Sequence, residues 1–368
     1  GYAVFDRLLT LWRSRQFPFE GGKTLLPQET IPSEIRQDSE LLARFFFLAC
    51  IYMRGGITSA TAFKGLFLVY QDDPGMFNAN VAMNYSLETI KTKLSSRMGN
   101  WDIEVAAYNW KENCRRLATT WNGSVLNIFK DITNYEEALE RIRNKKGKHK
   151  NGLDAGFVGF QHKMTSMLCY FLVDAGLVPG FEFPPPVDFH HLRILFGHEI
   201  LTIKTERAIR YGERILEPAR SLLSRYLKTR HSDTPGANLE LADALWLFSL
   251  TICSNAPGNT TAGNGGGRKE LKERKKKDGD WVQIPLKITG EFSQEEWRHN
   301  QTRKYLNTCG RCPMRTTCRH FAPAEAYYRR GILDLKPHLP MRLPIPSATK
   351  QNQSKIDLFP EQISLPKT

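Results

Sequence analysis

The sequence predicts an all-α protein. Apolar residues recur at helical spacing through most of the chain, while period-2 runs and hairpin turns are scarce. Cap and breaker residues, such as Ser39, Thr58-Ser59 and Asp73-Pro74-Gly75, punctuate the helical stretches. Residues 1–37 hold one amphipathic helix and then a Gly/Pro-rich connector, PFEGGKTLLPQETIP. From Ser39, SELLARFFFLACIYMRG is apolar on almost every face, so a helix buried on most sides is expected. Thr58 to Thr61 open the next helix, FKGLFLVYQ, which Asp73-Pro74-Gly75 ends. Further helices are expected near 85–98, 101–119, 123–129 and 134–144. After residue 197 a long charged helical stretch runs to Arg230. The helix LELADALWLFSLTICSN then ends before Pro257-Gly258. Glycines and a dense basic run over 258–280 predict a flexible insertion, and the tail from about Pro337 is expected to be extended.

Composition sets bounds. The 368 residues suffice for one large domain or two ordinary ones, and 41% hydrophobic content supports a packed core. No apolar run reaches 18 residues, so no membrane span is expected, and the first residues carry no signal-peptide pattern. A net charge of +14 and a pI near 9.4 favour a polyanionic partner, nucleic acid ahead of an anionic membrane. Seven cysteines, an odd count grouped toward the C-terminus, do not form a disulfide framework. Cys50, Cys114 and Cys169 lie in apolar helical patterns as ordinary buried thiols. A reducing, cytoplasmic setting follows as the expectation.

The most informative stretch is Phe157 to Phe196. A turn around Gly159 opens an apolar helix from about Lys163 to Ala175. The loop PGFEFPPP follows, and VDFHHLRIL starts another helix. Lys163 and Asp188 both fall at helix starts, where free N–H groups and the positive dipole end favour anions. The same dipole lowers a lysine's pKa, which suits a nucleophilic amine. The basic run RIRNKKGKHK over 141–150 is a solvated loop or a phosphate contact, through Lys145, Lys146 and Lys148.

The stretch resembles the helix-hairpin-helix DNA glycosylases of the endonuclease III superfamily. Phe157-Val158-Gly159-Phe160-Gln161-His162-Lys163 lies over the family's LPGVGxK hairpin, and Val187-Asp188-Phe189-His190-His191-Leu192-Arg193 over its VDTHxxR motif. Three further segments are similar in pattern and order: LLARFFFLACIYMRGGITSATAFKGLF, Tyr108-Asn109-Trp110-Lys111 and Trp121-Asn122-Gly123-Ser124-Val125. Two departures stand out. Gln161 replaces the hairpin's second glycine, and Lys163 and Asp188 lie 25 positions apart, several more than usual.

Cys309-Gly-Arg-Cys312-Pro-Met-Arg-Thr-Thr-Cys318 has the spacing C-x2-C-x5-C, with which iron–sulfur members of the family end their ligand set. Position 302, where that pattern places the first cysteine, is threonine. Cys253, closing an apolar helix, is the candidate for the remaining ligand of a [4Fe–4S] cluster. Zinc held by four cysteines, or by three with His320, is the alternative.

The resemblance implies two helical domains with an active site in the cleft between them. The expected division is 1–37 packing with the C-terminal domain, 38–182 with the hairpin motif at 152–175, 183–336 as the cluster domain with a flexible insertion at 256–300, and a tail at 337–368. It implies an enzyme acting on double-stranded DNA, as a monomer, that flips out and excises a damaged or modified base. Asp188 would stabilise the cationic sugar. Lys163 would attack the sugar carbon in members that also cleave the strand. Gly159, Gln161 and His162 of the hairpin would grip phosphates, and Arg54 would fill the gap left by the extruded base. Phe157, Phe160, Tyr52 and Trp110 could line a base pocket, but most of the phenylalanines read as core. Two other readings stand beside this one: an enzyme for bulky hypermodified phage-type bases, and a non-catalytic iron–sulfur module that binds DNA.

Overall fold

The computed structural model describes residues 1–53, 59–98, 103–143, 156–201, 209–210, 213–256, 269–275, 281–288, 306–318 and 332–333. Arg54, Lys145, Lys146, Lys148, His320 and the tail at 337–368 lie outside them. Helices dominate, as expected: α1 Tyr2–Arg13, α2 Ser33–Arg36, α3 Ser39–Tyr52, α4 Ser59–Asp72, α5 Ala79–Ala82, α6 Leu87–Met98, α7 Ile103–Trp121, α8 Tyr135–Ile142, α9 His162–Asp174, α10 Phe189–Gly197, α11 Glu213–Arg230 and α12 Ala237–Thr251. The connector after α1 is more ordered than its Gly/Pro content suggested, with 3-10 turns at Gly22–Leu25 and Pro27–Thr30. The helix expected at 123–129 is only a 3-10 turn, Leu126–Phe129. Gly123 at φ +74 and Asn122 at φ +54 delay its start.

The chain divides into two compact units. One comprises Leu8–Asp188 and Leu216–Leu247, the other Gly1–Arg7, Phe189–Ile215 and Phe248–Thr368. The division departs from the expected one in that residues 8–37 and 216–247 join the hairpin-bearing unit, whose edge falls at Asp188 rather than 182.

The hairpin-bearing unit is organised on α3. Asp38 caps it, its carboxylate accepting from the backbone N–H of Glu40 and Leu41 at 3.0 Å each. Every residue from Phe45 to Tyr52 is buried, which accounts for the nearly unbroken apolar run. Its phenylalanines meet rings from distant segments. Phe46 stacks on Phe171 with centroids 4.8 Å apart, Phe47 on Phe160 at 5.1 Å, and Phe45 on Phe77 at 5.5 Å. Each such buried ring contributes roughly 1.5–3 kcal/mol. Helix α9 packs on α3 and α8, so its register, and with it the position of Lys163, is set by this aromatic core.

In the other unit α10 is buried along most of its length, with Leu192, Ile194, Leu195 and Phe196 in contact with the interior. The strands among the described residues belong here. β1 (Ile209–Arg210) pairs antiparallel with β4 (Ile332–Leu333), and β2 (Lys269–Lys275) with β3 (Trp281–Ile288). The second pair lies within 256–300, the segment expected to be a flexible insertion. Val282, Ile284, Leu286 and Ile288 alternate with polar residues and proline, a period-2 signal that the neighbouring lysines and glycines had outweighed.

Candidate functional site

The hairpin begins where α8 ends. Phe157 N–H donates to the Ile142 carbonyl at 3.0 Å, and Arg143 bridges Phe157. Residues 143 and 156 are thus brought together. Gly156, at φ +67, fits against the Arg143 backbone so closely that an added Cβ would lie 2.2 Å from the Arg143 carbonyl oxygen. A tight turn follows. The Phe160 N–H donates to the Phe157 carbonyl at 3.1 Å, and Gly159 takes φ +86 at the turn's third position, the geometry of a type II turn. Gln161 is the extended residue before α9, without a side-chain cap bond. His162 is the first residue of α9. Its carbonyl accepts from the Tyr135 hydroxyl at 3.1 Å, and its Nε2 lies 3.3 Å from the Arg143 guanidinium.

Lys163 follows one residue into α9. Its Nζ lies 3.5 Å from Oδ2 of Asp188, so the two residues singled out from the sequence form an ion pair within one unit. The Asp188 side chain is only 7% exposed and that of Lys163 25%. The carboxylate is therefore largely shielded from solvent, while the lysine is a quarter exposed. Asp188 is held there by the preceding segment, in which Phe183, Pro185, Pro186 and Val187 are buried and proline rings fix φ. Cys50 of α3 faces the same lysine; burial pushes its thiol pKa up, opposed by the Lys163 charge.

Phe157, Phe160, Tyr52 and Trp110 are all buried in the core, and the Trp110 indole N–H donates to the Met76 carbonyl at 3.0 Å. They serve packing. Sequence reasoning passed over Asn113 and Arg116 of α7. The Asn113 amide donates to the Val158 carbonyl at 2.9 Å and accepts from the Val158 N–H at 2.6 Å. Arg116 donates to the Gly156 carbonyl at 2.8 Å and pairs with Glu112 at 2.8 Å. The Arg115 and Arg116 guanidiniums beside Glu112 hold its carboxyl down to about 2.

In the other unit, His190 Nδ1 lies 3.2 Å from the Ser249 hydroxyl, and buried Arg193 donates to Ser254 at 2.6 Å, beside Cys253. His191 is also buried. Cys253, Cys309, Cys312 and Cys318 are all free of disulfides. Burial raises the Cys253 thiol pKa, and Cys318, Cys312 and Cys309 raise it further, which puts all four within electrostatic reach of one another. Burial likewise pushes Cys309 and Cys312 up to about 12. Among the described residues no three His, Cys, Asp or Glu side chains are drawn in closely enough to hold a metal ion. Four cysteine thiolates are a donor set that a [4Fe–4S] cluster or a zinc ion could take.

No helix among the described residues is long and apolar enough to cross a membrane. No protein-family model matches the chain, and no curated protein matches it.

Proposed function

We propose that the protein is a DNA glycosylase that flips out a damaged or modified base from duplex DNA and breaks its N-glycosidic bond. The observation that carries this reading is the pairing of Lys163 with the buried carboxylate of Asp188 at 3.5 Å, directly behind a glycine turn that opens a helix. Extruding the nucleotide costs a few kcal/mol and brings the sugar carbon within reach of both groups. As the C1′–N bond breaks, the base leaves with the bonding electrons and positive charge develops on the sugar. A carboxylate held out of water stabilises that charge far more than one in solution. Attack by water at C1′ gives an abasic site. Attack by the Lys163 amine, once its ammonium proton has passed to the departing base, instead forms a C–N bond, and ring opening yields the Schiff base from which strand cleavage proceeds. Cys253, Cys309, Cys312 and Cys318 would hold a [4Fe–4S] cluster with a structural role in the second unit. A bulky, phage-type base is the alternative substrate, supported by two departures from the family pattern: Gln161 in the hairpin and the longer segment before Asp188.

The test is a panel of duplexes carrying damaged and hypermodified bases, scored for free base and abasic sites. Asp188→Asn keeps shape and removes charge, so the active duplex should lose base release by orders of magnitude, each ~1.4 kcal/mol being tenfold. Borohydride should trap the wild-type chain on an abasic duplex, and Lys163→Gln should abolish trapping. Base release by wild type without trapping would leave Lys163 a DNA contact and the enzyme monofunctional. Base release by Asp188→Asn at the wild-type rate would refute the assignment of the site, and no release from any duplex would favour the non-catalytic DNA-binding reading.

A further inference from the structure

We infer that Asn113 is a positioning residue: its carboxamide clamps the hairpin turn and thereby sets where Lys163 meets Asp188. The inference deepens the glycosylase reading and rests on it for its catalytic half only. A primary amide has the donor–acceptor pattern of a peptide group. Asn113 uses both ends on one residue, donating to the Val158 carbonyl at 2.9 Å and accepting from the Val158 N–H at 2.6 Å. Val158 is the second residue of the Phe157–Phe160 turn, so the clamp grips the one stretch of that turn that the Phe157–Phe160 hydrogen bond spans but does not hold. Asn113 is fully buried. Water cannot replace either bond, and loss of the side chain would leave a buried peptide group unsatisfied.

The surroundings argue for positioning rather than bulk stability. Three turns of α7 bury Ala106, Ala107, Trp110, Cys114 and Leu117, which suffices to seat the helix. Two buried amides, Asn109 and Asn113, interrupt that apolar stripe, and Asn113 is the one whose two ends both bond the Val158 peptide group. One turn further on, Arg116 holds the Gly156 carbonyl at 2.8 Å. Glycine turns are otherwise soft, and Lys163 is only four residues beyond Gly159. A rotation of the turn would swing α9's first turn and move the amine away from the carboxylate. Displacement by about 1 Å at a reacting group can reduce rate by a factor on the order of 100.

Two variants and two readouts test this. Asn113→Ala removes both bonds. Asn113→Asp keeps the acceptor for the Val158 N–H but sets a carboxylate against the Val158 carbonyl, a clash relieved when the acid is protonated. Amide hydrogen exchange of the intact protein should show Val158 losing protection by about tenfold or more in Asn113→Ala, while α3 amides keep theirs. Borohydride trapping on a duplex with a single abasic site should slow by a similar factor or more with little change in duplex affinity, and Asn113→Asp should recover as pH is lowered. Wild-type protection at Val158 in Asn113→Ala would overturn the clamp. Lost protection with unchanged trapping would overturn the positioning role. Should wild type fail to trap at all, the lyase reading falls, and Val158 exchange with its pH recovery in Asn113→Asp decides the clamp alone. If Asn113→Ala does not fold, Asn113→Asp carries both measurements.

Discussion

At the scale of single residues, the structure holds a second buried carboxylate with a different fate. Asp243 of α12 lies beneath α9, where Oδ1 accepts from the Tyr170 hydroxyl. Tyr170 in turn accepts from Gln28 at 2.6 Å, and Lys23 pairs with the neighbouring Asp174 at 2.6 Å. Burial pushes the Asp243 carboxyl up to about 8; Tyr170 and Lys23 pull it back, while Asp174 and Glu240 add to the rise. The folded protein therefore keeps a proton that the unfolded chain releases near the ordinary carboxylate range. Stability from this group is greatest at or below about pH 4 and falls as pH climbs toward 8, with a slope approaching ~1.4 kcal/mol per pH unit. Above that it levels off. Denaturant unfolding of wild type and Asp243→Asn across this range should show a difference that grows with pH in favour of the variant. A constant difference would mean that the carboxyl is ionised throughout. Nothing in the sequence marks Asp243, since a lone aspartate in LELADALWLFSL reads as a solvent-facing residue. Lys163 and Asp188 were legible because each follows a breaker-rich segment and starts a helix.

At the scale of elements, the hairpin depends on backbone conformations that few residues adopt. Gly156→Ala would place a methyl carbon 2.2 Å from the Arg143 carbonyl oxygen at a positive φ. A loss of about 1–3 kcal/mol is expected, measured as a lowered unfolding midpoint, with slower trapping on abasic DNA. Helix boundaries were legible to within a residue or two where a cap or an apolar face marks them, as at Asp38 and α3. They were not legible where charge obscures the pattern. The β2–β3 pair hides between lysine runs, and the long charged stretch after residue 197 resolves into a two-residue strand, β1, followed by α11. Asn113 escaped for another reason. Its partner lies 45 positions away and is backbone, so the only trace in the sequence is a polar residue on the apolar stripe of a helix, which must find a bond somewhere.

At the scale of the whole molecule, charge and metal content give the coarsest tests. Neutralising Lys145, Lys146 and Lys148 together should weaken binding to every duplex and flatten the salt dependence by about one unit for each phosphate they neutralise; an unchanged slope would remove that run from the interface. Anaerobically purified protein should be brown with iron and sulfide in equal amounts, and Cys253→Ser should lower both, whereas colourless protein with one zinc would favour the alternative ligand chemistry. The sequence reading placed residues 1–37 with the C-terminal domain and a single further crossing near residue 182. The backbone instead passes between the two units after Arg7, Asp188, Ile215 and Leu247. A fragment ending at Asp188 would lack 216–247 of its own unit, including the partner of Tyr170. The same interleaving bears on inheritance. Recombination after Asp188 or Ile215 would divide both units, and after Arg7 or Leu247 it would divide one of them, so neither unit is a contiguous cassette that one break can transfer. The joint at Arg143 and Gly156 has the opposite character. Its two ends sit side by side, so a change in the length of the sequence between them need not alter the span the chain must close.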